Sequence, residues 1–140
     1  MINEEIIKKK LNILRENLEQ IKEILKSSNV EIENNRVFLS AMERNFQLIV
    51  DAAVGINEHI ISEENLQLPD DYFRTFLILG TASVLPLKFA EKIAPSVGLR
   101  NQIVHQYEKI DVDKMLKDIK ENIHQYDEYM GLIIKRYKLA

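Results

Sequence analysis

Cysteine and tryptophan are absent from this chain of 140 residues, which holds only four glycines and three prolines. Without cysteine there is no disulfide, no thiolate metal site and no cysteine nucleophile. So few glycines and prolines exclude a turn-rich β-sandwich and a glycine-rich cofactor loop. An excess of basic charge is lacking too. The chain carries 22 acidic and 19 basic side chains, a net charge of −3, which argues against holding nucleic acid by bulk charge, since such binding neutralises phosphates with Lys and Arg. No apolar run approaches the roughly 20 residues of a membrane helix. The most apolar window, Phe76 to Leu87, is interrupted by Thr81, Ser83 and Pro86, and Met1 to Lys10 has no signal-peptide core. These absences lead to the expectation of a soluble cytoplasmic protein with no membrane segment, folded as one domain over residues 1–140.

What is present is helical periodicity. Ile7, Leu11, Leu14, Leu18, Ile21 and Leu25 alternate spacings of four and three, which lines them along one helix stripe, and Ser27-Ser28-Asn29 breaks the pattern. A second helix is expected from about Asn34 to Ile61, on Leu39, Met42, Phe46, Ile49, Ala53, Ile56 and Ile60. Phe38, Ala41, Leu48 and Ala52 widen its apolar face. Asp70-Asp71 reads as a helix start, with Gly80 as a possible close. Pro86 and Pro95-Ser96 open two more short helices, the second running through Val97, Arg100, Asn101, Val104 and His105 to Tyr107. The last helix starts near Asp111, with a stripe of Val112, Leu116, Ile119, Ile123, Tyr126, Met130, Ile133 and Tyr137. The pattern defines an all-α bundle of three long and two or three short helices. The heptad-like stripes fit, first, packing within one bundle; the sharper alternative is that one or two helices also pack against a second subunit.

Histidine is the side chain best matched to proton transfer near neutral pH. His59 and His124 read as surface residues. Glu121 and His124 make one Glu-x-x-His, but a di-metal bundle needs two such motifs and two further Glu ligands, so no metal is expected. His105 has more informative neighbours. On a helix, Asn101 and His105 lie one turn apart, and Arg100 lies about 140° round from His105. This surface offers a guanidinium, an amide, an imidazole and, at Tyr107, a phenol. Arginine can bind a phosphodiester and stabilise its developing charge, histidine can move a proton to or from a ribose or leaving oxygen, and asparagine can hold either. The same residues also fit a plain exposed helix surface.

The segment Gly98-Leu99-Arg100-Asn101-Gln102-Ile103-Val104-His105-Gln106-Tyr107 resembles the Arg-x4-His-x-Tyr signature of the HepT toxins, a branch of the HEPN superfamily. The likeness extends to Arg36 through Ile61 as the second helix, to Pro69-x-x-Tyr72-x-x-x-Phe76, and to the approach from Leu85-Pro86, covering about residues 4–137. The resemblance implies a HEPN-type up-and-down bundle that forms a homodimer. It also implies the toxin of a type II toxin–antitoxin system: a metal-independent endoribonuclease, without cofactor, acting on RNA and neutralised by an MNT nucleotidyltransferase antitoxin. By position, Arg100 and His105 match the catalytic pair, Asn101 their polar helper, and Tyr107 the tyrosine that such partners modify with AMP. The motifs of two subunits would face each other across a composite cleft. Gln106 departs from the acidic residue common in relatives, which bears on local charge alone. A second reading is a non-catalytic helical module that dimerises and binds a nucleotidyltransferase or a nucleotide, motivated by the wide apolar faces of the second and last helices.

Overall fold

The structure, a computed structural model, describes residues 1–105 and 110–139. Among the described residues there are seven helices and no strand: α1 (Glu4–Ile24), α2 (Asn29–Asn34), α3 (Arg36–Glu63), α4 (Tyr72–Thr81), α5 (Leu87–Ile93), α6 (Ser96–His105) and α7 (Val112–Arg136). Five of them begin on a side chain that accepts hydrogen bonds from first-turn amides: Asn3, Ser28, Asn35, Asp71 and Asp111. Such a cap satisfies amides that would otherwise lack a partner inside the helix.

The periodic stripes become the core. Ile7, Leu11, Leu14, Leu18 and Ile21 of α1 are buried, as are Met42, Phe46, Ile49, Ala53, Ile56 and Ile60 of α3. The two helices run antiparallel: the Met1 amino group pairs with Glu63 at 2.7 Å, the Asn3 amide donates to His59 Nε2 at 3.0 Å, and Asn45 Nδ2 donates to Asn17 Oδ1 at 2.8 Å. Helix α7 meets α3 through the Tyr129 hydroxyl, whose single proton is shared between Asn57 Oδ1 at 2.6 Å and the Ala53 carbonyl at 3.1 Å. The Phe76, Tyr126 and Tyr129 rings meet at centroid distances of 6.4, 5.9 and 6.2 Å, joining α4 to α7.

Several expectations are corrected. The long second helix is preceded by a separate turn, α2, which brings the short helices to four; Ser28 caps it and Ile32 anchors it in the core. Gly80 does not close α4, which continues to Thr81; Ser83 reverses the chain in the left-handed region at φ 61°. Gly80 lies where α4 meets α5, and a Cβ there would stand 2.7 Å from that of Ala90. On α7, Met115 and Tyr129 are buried, whereas Met130 and Val112 are only partly so. Ala41 faces out from α3. His59 is half-buried and caps the chain entering α1 rather than lying free on the surface.

Candidate active site

Helix α6 carries the motif and is pinned from below. Ser96, Val97, Leu99 and Ile103 are buried, while Gly98, Asn101, Gln102, Val104 and His105 face out. Ser96 Oγ lies 2.7 Å from both the Ile93 carbonyl and the Tyr126 hydroxyl. A serine has one proton to give. Because Ser96 gives it to Ile93, the Tyr126 hydroxyl must be the donor to Ser96. Burial pushes the Tyr126 hydroxyl well above the ordinary tyrosine range, opposed by its bond to Ser96 and aided by the negative charge of Asp51, so it stays a neutral donor.

Arg100 is held more closely than the sequence reveals. Its Nε donates to Asp51 Oδ1 of α3 at 3.0 Å, and its Nη1 donates to Asn101 Oδ1 at 3.1 Å. The guanidinium carbon sits 5.4 Å from the centre of the Tyr72 ring at the start of α4. The arginine side chain is 15% exposed and the Asp51 side chain 33%. Three helices therefore meet at this guanidinium. His105 lies exposed in the same helix, one turn beyond Asn101. The structure thus joins Arg100 directly to Asn101, with His105 exposed at the end of the same helix. Tyr107 and Gln106 lie outside the described residues.

Sequence reasoning missed Asp51 and the role of Tyr72. A signal for Asp51 was present: it is the one charged residue in the apolar run from Leu48 to Ile56. A lone carboxylate there demands a partner.

Elsewhere, a hollow lined by Leu66, Leu68, Pro69, Arg74, Leu77 and Ile78 lies at the α3–α4 connector and includes none of the motif residues. Glu121 and His124 are exposed, and among the described residues no three His, Asp or Glu side chains converge as a metal site. No helix among them is long and apolar enough to cross a membrane.

The chain belongs to the ribonuclease HepT-like family, whose model matches residues 14–133. It is 34% identical to the tRNA nuclease HepT of Aphanizomenon flos-aquae over 134 residues, covering 91% of this chain and 87% of that protein. It is 22% identical over 89 residues to the mRNA nuclease HepT of Shewanella oneidensis, covering 64% of this chain and 67% of that one. Its fold matches the tri-AMPylated Shewanella oneidensis HEPN toxin solved in complex with MNT antitoxin, with TM-score 0.84 and 19% identity, over 91% of this chain and 96% of that one.

Proposed function

We propose that this chain is a ribonuclease toxin, a single domain over residues 1–140, and that it cleaves RNA without metal through Arg100, Asn101 and His105. The observation that carries the proposal is the fixed guanidinium: Arg100 is tied to Asp51 and Asn101 and covered by Tyr72, on the same helix as the exposed His105. In this mechanism His105 removes the proton from a ribose 2′-hydroxyl or delivers one to the departing 5′-oxygen. The 2′-oxygen bonds to phosphorus, the 5′-oxygen leaves, and a 2′,3′-cyclic phosphate remains. Arg100 stabilises the charge that builds on the phosphoryl oxygens, and Asn101 holds the reacting groups in place.

One His105 serves only one of the two proton transfers at a time. A homodimer that brings two motifs together across a cleft supplies a base and an acid at once. The partner that silences the toxin is an MNT-type nucleotidyltransferase, and Tyr107 is its target. An AMP group there adds bulk and a negative phosphate near Arg100 and His105, which blocks RNA by occlusion and by charge.

The alternative of a non-catalytic module loses its motivation. The wide apolar faces of α3 and α7 that suggested it are largely spent inside the bundle. Growth on expression separates the two readings. The toxin reading expects wild type to arrest growth and Arg100→Ala to be harmless while still binding the coexpressed nucleotidyltransferase. A harmless wild type, or an Arg100→Ala variant as toxic as wild type, would contradict it.

A further inference from the structure

We infer that Asp51 and Tyr72 are positioning residues for the reaction, fixing the Arg100 guanidinium so that its outer edge alone receives the scissile phosphate; this rests on the ribonuclease reading above. Arginine has five N–H donors in a planar fork. Asp51 takes Nε at 3.0 Å and Asn101 takes one Nη1 proton at 3.1 Å. Among the described residues Nη2 has no hydrogen-bond partner. The second Nη1 proton and both Nη2 protons remain, which is the end of the fork suited to gripping two phosphoryl oxygens together. The Tyr72 ring, 5.4 Å from the guanidinium carbon, restrains the plane of the fork.

Asp51 is one-third exposed and the Arg100 side chain 15% exposed, so the pair lies at the rim of the bundle rather than sealed in its core. It removes rotamer freedom from a long side chain that would otherwise have to be ordered as the transition state forms. The anchors come from different elements, Asp51 from the middle of α3 and Tyr72 from the first residue of α4. The direction of the fork is therefore set by helix packing rather than by α6 alone.

The test uses an RNA oligonucleotide cleaved by wild type, with a phosphorothioate at the scissile bond as separate Rp and Sp diastereomers. A fixed guanidinium distinguishes the two non-bridging positions, so wild type is expected to cleave one isomer about 10-fold or more faster than the other. Asp51→Asn keeps the shape and removes the charge. It is expected to slow cleavage of unmodified RNA by about 10- to 100-fold and to collapse the isomer ratio towards one. A change that merely lowered the amount of folded protein would slow both isomers alike and leave the ratio intact. Tyr72→Leu, at an exposed helix start, is expected to move the ratio in the same direction, and it stands as the test should Asp51→Asn fail to fold. A large wild-type ratio that both folded variants preserve overturns the inference. So does loss of one limb of the pH–rate profile in Asp51→Asn, which would make Asp51 a proton carrier in its own right. A wild-type ratio near one overturns it too, since a fixed guanidinium must distinguish the two positions, whereas full activity of Arg100→Ala strikes at the ribonuclease reading itself.

Discussion

At the scale of single residues, the tyrosines are sorted by burial. Tyr126 and Tyr129 are fully buried with their hydroxyls engaged, and Tyr137 is partly buried with its hydroxyl donating to Glu64 Oε1 at 3.2 Å. A transferase cannot reach the first two without unfolding the core. Mass spectrometry after coexpression with an MNT-type nucleotidyltransferase is expected to find adenylyl mass on Tyr107 rather than on Tyr126, Tyr129 or Tyr137; such mass solely on another tyrosine would refute the assignment. Tyr129 has a structural role of its own. Tyr129→Phe strips the donor from Asn57 Oδ1 and the Ala53 carbonyl inside the core. It is expected to destabilise by about 1–3 kcal/mol, read as a lower urea midpoint with unchanged slope. Residues are also where sequence reasoning reached its limit at the site. Arg100, Asn101 and His105 fall within six consecutive positions, so their shared helix was legible. Asp51 lies 49 positions away from Arg100, and only the packing of α3 against α6 brings them together.

At the scale of elements, legibility followed length. Helices α1, α3 and α7 span 21, 28 and 25 residues, long enough for the three-four spacing to repeat several times. Helix α2 spans six and buries one residue, Ile32, so no period exists to detect; only its Ser28 cap marks it. The glycines give a paired prediction. Gly80→Ala forces a methyl group to within 2.7 Å of the Ala90 Cβ where α4 meets α5. Overpacking there is expected to cost about 1–3 kcal/mol, partly offset by better helix propensity. Gly131 lies in α7, and a methyl group added there would meet nothing within 4 Å, so Gly131→Ala is expected to stabilise by about 0.5–1 kcal/mol. Thermal midpoints of the two variants should therefore move in opposite directions, and a common direction would contradict the packing at Gly80.

At the scale of the whole molecule, charge and titration set the working range. Burial raises the hydroxyl pKa of Tyr126 and Tyr129 far above its ordinary value, and that of Tyr137 to a lesser extent. Unfolded tyrosine loses its proton near pH 10. Above that pH the unfolded chain binds fewer protons than the folded one, so stability falls as pH rises. The contribution of these tyrosines is whole below pH 10 and is lost progressively above it, and urea midpoints measured between pH 8 and 11 are expected to drop only in the upper part of that range. A net charge of −3 does not oppose the proposed activity, because a small cleft responds to its local field rather than to the total. The bundle's long helices were legible because its core is built from them. The surroundings of Arg100 were not, because they depend on contacts among α3, α4 and α6. RNA cleavage by Arg100 and His105 without metal is the central claim. Its most direct test is cleavage of a tRNA pool in excess EDTA by wild type and by His105→Ala, with the product ends identified. Wild type is expected to cleave to 2′,3′-cyclic phosphate ends, with a loss of about 100-fold or more in the variant; equal cleavage by both proteins, or cleavage that requires added metal, would contradict it.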